Sequence, residues 1–331
     1  MVWKFRTTAL IFSIRHVSSS FAMSSAASHP SRVIDSHLHI WANTAESSNN
    51  KFPYAEGQEP PEQLRDKASM SELLAKMKDA NVKGALIVQP INHKFDHSYV
   101  LNAMKEHPTK FKGMLLHDPS MSKDQAVSRL EDLALQGFVG VRFNPYLWPK
   151  VTSINDAGES LEQLTPMSST EAGKAVYKRC AELNMPVGVM CFQGLGLHYN
   201  DLIALLESSP KTIMILDHFG FTGLDDEGDA AFEQLLELAK KYPQVVVKIS
   251  ALFRLKDSSP NRKRVQVERL EPLLKALGPD RLMVGTDFPF VLEQPESYKG
   301  TVSLVKSWLE DDRDRQAVLG GTAERLFGPW V

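Results

Sequence analysis

Only two cysteines occur in 331 residues. That excludes a disulfide framework and a four-cysteine zinc site. No run of about 18 apolar residues exists, so no membrane-spanning helix is expected. One-sided charge is also lacking. The 38 basic and 40 acidic side chains leave a net −2, with a pI near 6.6. A nucleic-acid binder usually carries a basic face and a high pI, so no nucleic-acid partner is expected. No Gly-x-Gly-x-x-Gly follows a strand-like run, which removes the usual dinucleotide site. What is present is ordinary for a globular enzyme. The hydrophobic fraction is 43% and the charged fraction 24%, too apolar for a disordered chain.

The first stretch is a different material. No Asp or Glu precedes Asp35, while Lys4, Arg6 and Arg15 lie there among Ser13, Ser18, Ser19, Ser20, Ser24 and Ser25. An Arg-bearing, Ser-rich, acid-free leader reads as an organellar transit peptide of a mitochondrion or chloroplast. A disordered tail is the alternative. Translation starting at Met23 would drop the basic segment and leave a cytoplasmic protein. Residues 1–31 are therefore set apart from the folded domain, 32–331. Without the leader's three cations the domain counts 35 basic against 40 acidic residues, more acidic than the whole chain suggests.

From Arg32 onward, short apolar runs with strand character alternate with helical periodicity. Eight such runs occur: Arg32–His39, Gly84–Gln89, Phe111–Leu116, Phe138–Phe143, Pro186–Cys191, Thr212–Asp217, Val245–Ile249 and Arg281–Thr286. Helical segments are expected over 71–81, 123–136, 170–183, 201–208, 230–241 and 264–277. Strands alternating with helices of this length imply βαβ units and a parallel sheet. Eight units in about 300 residues predict a single-domain α/β fold, a (β/α)8 TIM barrel. A doubly wound open sheet is the alternative. Long segments after the first strand (42–68) and the fourth (144–169) would lie on the catalytic face.

The strand ends carry the chemistry. The first ends His37-Leu-His39, and residues two apart on a strand point to one face. The sixth ends Asp217-His218, and the eighth Thr286-Asp287. On a barrel these ends meet at one mouth, gathering three imidazoles and a carboxylate. Such a group can bind a divalent transition metal, or polarise a carbonyl directly while the carboxylate works on a water.

With these residues the chain resembles the amidohydrolase superfamily, in its branch of pyrone dicarboxylate and sugar lactonases. The resemblance runs from about Val33 to Phe327. It is carried by Val33–Trp41, Gly140–Asn144, Leu216–Gly220, Gly285–Pro289 and Gly321–Phe327. It implies the barrel, with His37 and His39 at the first-strand ligand positions, His218 at the sixth and Asp287 as the eighth-strand acid. Metal-dependent members carry a Lys, Glu or His at the fourth or fifth strand end. Here the fourth presents Arg142 and the fifth has no His, though Cys191 and Gln193 stand nearby. A binuclear centre is thus not expected. Two alternatives stay open: one zinc or manganese ion on His37, His39, His218 and Asp287, or a metal-free site.

The expected reaction is hydrolysis of a lactone or cyclic ester. Asp287 is the general base, and His37, His39 and His218 polarise the carbonyl. The alternatives are a metal-dependent decarboxylase and a catalytically inactive binding barrel. Arg142 and Arg254 predict a small, anionic, carboxylate-bearing substrate. For Arg254, near the basic run Arg262–Arg264, a structural ion pair is the competing reading. Gln89 and Tyr146 are further substrate-contact candidates, and Asn92, His93, His117, Asp118 and Trp148 weaker ones. His97, His107 and His198 are expected to be exposed, and Cys180 to be core. The sequence leaves the oligomeric state open.

Overall fold

The computed structural model describes residues 32–49, 51–154 and 160–330. The proposed leader and its consequences for location lie outside the described residues. Among the described residues ten strands occur in chain order: β1 (Val33–Leu38), β2 (Val82–Val88), β3 (Phe111–Leu116), β4 (Phe138–Phe143), β5 (Lys150–Ile154), β6 (Ser160–Leu164), β7 (Val187–Val189), β8 (Met214–Leu216), β9 (Val245–Ile249) and β10 (Leu282–Val284). Eight form one parallel sheet in the order β1-β2-β3-β4-β7-β8-β9-β10. A parallel bridge between Leu38 and Phe288 brings its edges together. The His39 N–H donates to the Phe288 carbonyl (2.7 Å) and the Asp287 N–H to the His37 carbonyl (2.8 Å). The sheet therefore curls into a (β/α)8 barrel, and its seam runs through the residues expected to do the chemistry.

The eight strands appear where the apolar runs predict them. One pairing was not visible in the sequence. β5 and β6 form a separate antiparallel hairpin inside the segment read as a long loop after the fourth strand. Among the described residues, no helix is long and apolar enough to cross a membrane.

Two apolar layers hold the barrel. The larger lies between strands and helices. The smaller fills the barrel, with Ile34, Leu86, Met114, Ile215, Val246 and Met283, and is stoppered by Phe327 and Trp330 from the closing segment. Gly84 makes room for that stopper, because a Cβ there would sit 2.3 Å from the Trp330 ring. Closing the amino-terminal end this way leaves the opposite end as the mouth.

Candidate active site

Each expected site histidine is set by a partner on its Nδ1. His39 Nδ1 is 2.8 Å from the Val88 carbonyl, so it donates there and leaves Nε2 a lone pair. His37 Nδ1 is 3.1 Å from both Asp217 Oδ1, an acceptor, and Lys248 Nζ, so this nitrogen is held from two sides. His218 Nδ1 is 2.8 Å from Ser250 Oγ. The three Nε2 atoms then face Asp287 Oδ1, at 3.8, 3.5 and 3.8 Å for His37, His39 and His218. These distances are too long for good hydrogen bonds. His37 Nε2 and Asp287 Oδ1 are buried without a hydrogen-bond partner.

The backbone is bent to aim these groups. His218 and Asp287 both adopt left-handed φ, +52° and +60°. Such positions cost on the order of 1 kcal/mol or more for non-glycine residues and concentrate at functional sites. Gly285, one residue before the turn, is required on contact grounds. A Cβ there would meet the His37 Cβ at 2.7 Å.

Electrostatics follow from burial. Desolvation, aided by the Lys248 charge, holds His37 well below the ordinary imidazole range, and burial pushes His218 down to about 3. Both are therefore neutral near pH 7. Burial alone would raise Asp287. The positive charge around it, with the Arg254 guanidinium in direct contact, more than offsets burial and holds the carboxyl below its usual range. Arg254 Nε and Nη2 both donate to Asp287 Oδ2, at 3.2 and 3.1 Å, which leaves Oδ1 turned to the histidines.

Two further residues belong to this assembly and were missed. Asp217, fully buried, lies 3.3 Å from Lys248 Nζ and 3.5 Å from Arg142 Nη2. Lys248 Nζ also lies 3.1 Å from His37 Nδ1. Burial pulls the Lys248 amine below its ordinary range, with Asp217 opposing. A lysine inside Val245-Val-Val-Lys-Ile249 was the available signal, since a charge in a parallel strand must find a partner. Asp217, next to His218 at the end of the sixth apolar run, carried no separate signal in the sequence.

A cavity of about 270 Å³ opens above the histidines, and His39, Gln89, Arg142, His218, Arg254 and Asp287 reach it. Arg142 is buried, its Nε has no hydrogen-bond partner, and its ion pair with Asp217 is long. The fork is free to take a ligand anion. Gln89 donates through Nε2 to the Lys94 and Asp96 carbonyls (3.0 and 2.7 Å), with Oε1 unpaired. Tyr146 is not among the residues lining this cavity. Its hydroxyl accepts from the Gln193 N–H (2.7 Å) and pairs with His198 Nε2 (3.0 Å), bracing two loops. Cys191 is buried and its thiol is pushed up by desolvation, so it is not poised as a nucleophile. The expected exposure of His97 and His198 is corrected: both are buried, because helices over 98–106 and 199–208 pack their starts against the barrel.

The donor set fits a divalent ion. Ring nitrogens of His37 and His218 and a carboxylate oxygen of Asp287 come together, His39 Nε2 stands 3.5 Å from the same carboxylate, and each imidazole is held through its other nitrogen. The 3.5–3.8 Å spacings approach the roughly 3.4 Å between ligands around a tetrahedral ion with about 2.1 Å bonds. His37, His218 and Asp287 offer ligand atoms within 4.8 Å of one another. Arg142, expected to repel a metal, faces the Asp217 carboxylate.

Comparison with known proteins agrees with this geometry. The amidohydrolase family model matches residues 34–328. An L-fucono-1,5-lactonase from Burkholderia multivorans is 33% identical over 126 residues, 34% of this chain. The match spans 42% of that relative's length. Two solved structures share the fold. One is a probable 2-pyrone-4,6-dicarboxylic acid hydrolase from Acinetobacter baumannii with citric acid bound. It has 19% identity and a TM-score of 0.69 over 90% of this chain and 99% of that one. The other is an amidohydrolase from Burkholderia multivorans with bound zinc. It has 20% identity and a TM-score of 0.65 over 90% and 99%.

Proposed function

The chain belongs to the amidohydrolase family, and from that premise we propose that it opens a carboxylate-bearing lactone by hydrolysis. One observation carries the reading: three imidazole Nε2 atoms face a single oxygen of the buried Asp287 carboxylate, which together with two guanidiniums lines a cavity.

In this reading Asp287 Oδ1 takes a proton from the attacking water as the new C–O bond forms at the lactone carbonyl. The same oxygen returns the proton to the ring alkoxide as the ester C–O bond breaks. The product is a hydroxy acid. Arg254 fixes the carboxylate plane and weakens it as a base, so the positive surroundings must also acidify the water. Counting Lys248, Arg142 and Arg254 against Asp217 and Asp287 leaves one net positive charge, which favours an anionic substrate. Arg142 is the group placed to bind the substrate carboxylate.

The tautomers favour the ion-holding alternative. A neutral His39 that donates to Val88 has no second N–H to give a carbonyl oxygen. His37, His39, His218 and Asp287 would hold a divalent ion, which supplies electrophilic polarisation of the scissile carbonyl. The relatives named for a lactonase and a pyrone hydrolase support a lactone as the ring that is opened, and leave its substituents open.

The test is a lactone screen with and without chelator, run beside Asp287→Asn. The variant should fold by circular dichroism and lose about 10²–10⁴-fold in kcat. Full rate in Asp287→Asn would remove the proposed base.

A further inference from the structure

Much of the cavity lining takes no part in bond cleavage and is apolar. Trp41, Ile91, Leu116, Met190, Phe221 and Phe290 contribute to it. Several polar atoms there are already engaged. Trp41 Nε1 donates to the Arg65 carbonyl (3.0 Å) and Asn92 Nδ2 to the Gln58 carbonyl (2.8 Å). Gln89 Nε2 is held by two carbonyls, and Asn144 Oδ1 accepts from the Tyr146 N–H (3.2 Å). A ring bearing a hydroxyl on each carbon would leave donors unpaired, at roughly tenfold in affinity for each.

The cavity continues outward. Phe192, Phe221 and Arg254 also line an open groove of about 970 Å³. Two large apolar side chains are left exposed on that groove, Phe192 at 55% and Leu197 at 60%. The groove is polar at its rim, where Asp225, Glu227 and Lys256 stand. At the junction the Arg254 guanidinium lies 5.2–6.0 Å from the rings of Phe192, Phe221, Phe253 and Phe290. Phe192 and Phe221 meet edge to face at 5.7 Å. An arginine walled by rings suits an anion joined to an apolar group. Two of its nitrogens hold Asp287, and Nη1 remains for a ligand.

We infer that the substrate lactone carries, beside its carboxylate, an apolar and preferably aryl arm that leaves the cavity past Arg254 and lies on Phe192 and Phe221. A polyhydroxylated sugar ring is the class this wall disfavours. The inference rests on the hydrolase reading above. Burial of a phenyl-sized group in such a groove gains about ten- to a hundredfold in affinity.

Three lactones test it on the whole enzyme: a hexono-1,5-lactone, a carboxylated γ-lactone, and that γ-lactone bearing a phenyl group. The phenyl compound should exceed the unsubstituted one at least tenfold in kcat/KM, mostly through KM, and exceed the sugar lactone further. Phe192→Ser should cut the phenyl advantage to less than threefold. Calorimetry with the cyclic-ether counterparts, which cannot be hydrolysed, reads the same preference without turnover. Preference for the sugar lactone, or equal binding of the two γ-type ethers, overturns the inference and leaves hydrolysis standing. Selective binding of the phenyl ether without turnover of any lactone upholds the ligand class and removes the hydrolase reading.

Discussion

Two groups of buried histidines stand at the same end of the barrel. His37, His39 and His218 form one, and His97 and His117 the other. Burial depresses His97 and His117 to about 4, much as it depresses His37 and His218. The difference lies in what their free nitrogens see. In the first group each Nδ1 is held by a carbonyl, a carboxylate or a hydroxyl, and each Nε2 faces the Asp287 carboxylate. In the second, His97 Nε2 accepts from the Leu116 N–H (3.0 Å), while His97 Nδ1 and His117 Nε2 have no partner. The His117 ring packs against Phe143 and Trp148. A low imidazole pKa thus reports burial at both places. What sets the first group apart is that its three Nε2 atoms face one carboxylate.

The strongest way to break that comparison is to remove one histidine from each group. His218→Asn should lower kcat/KM on the best lactone by about 10³-fold with little change in thermal midpoint. His97→Leu should do the reverse. It leaves the buried Leu116 N–H unpaired, costs about 1–3 kcal/mol of stability and changes kcat less than threefold. Equal losses of activity in the two variants would show that the groups share one role.

The barrel could be read from the chain because each strand is buried on both faces and so forms an unbroken apolar run bounded by turns. The gathering of His37, His39, His218 and Asp287 could be read because strand ends project into one mouth. Asp217 and Lys248 could not be placed, since their roles depend on cross-barrel contacts between strands far apart in sequence. The β5–β6 hairpin escaped because Lys150–Ile154 and Ser160–Leu164 pair with each other and not with the core, so they lack the apolar run. His97 and His198 were misjudged because position at a helix start says nothing about which way the start is turned.

Acid should affect the second group through stability. The folded values near 4 for His97 and His117 lie below the 6.5 of an unfolded histidine. The unfolded chain therefore binds more protons in between. Stability is fully present above about pH 6.5 and is lost as pH falls toward 4, by up to about 3 kcal/mol for each residue. Asp35 acts oppositely. Burial raises it to about 6, and its contribution is lost as pH rises through that value. The difference between wild type and His117→Gln isolates the histidine. Urea midpoints at pH 7.5 and 4.5 should fall less in His117→Gln than in wild type. Parallel falls would mean that His117 does not stay neutral when folded.

The smallest expected effect sharpens the comparison most. Ser250 does not itself line the cavity, and its Oγ lies 2.8 Å from Nδ1 of His218, which does. Nothing in the second group has such a holder at its unpaired nitrogen. Ser250→Ala frees the imidazole to rotate and to exchange tautomers, so that Nε2 is a lone pair only part of the time. Partners of this kind are worth about 10–100-fold in metal affinity or activity, and a water can replace a hydroxyl, so about tenfold is expected here. Both zinc affinity and kcat should fall, with the thermal midpoint within a few degrees of wild type. Ser250→Thr, which keeps the oxygen, should restore them. If Ser250→Ala matches wild type in both readouts, the orientation of His218 is set by the strained turn at its own backbone and not by the hydrogen bond.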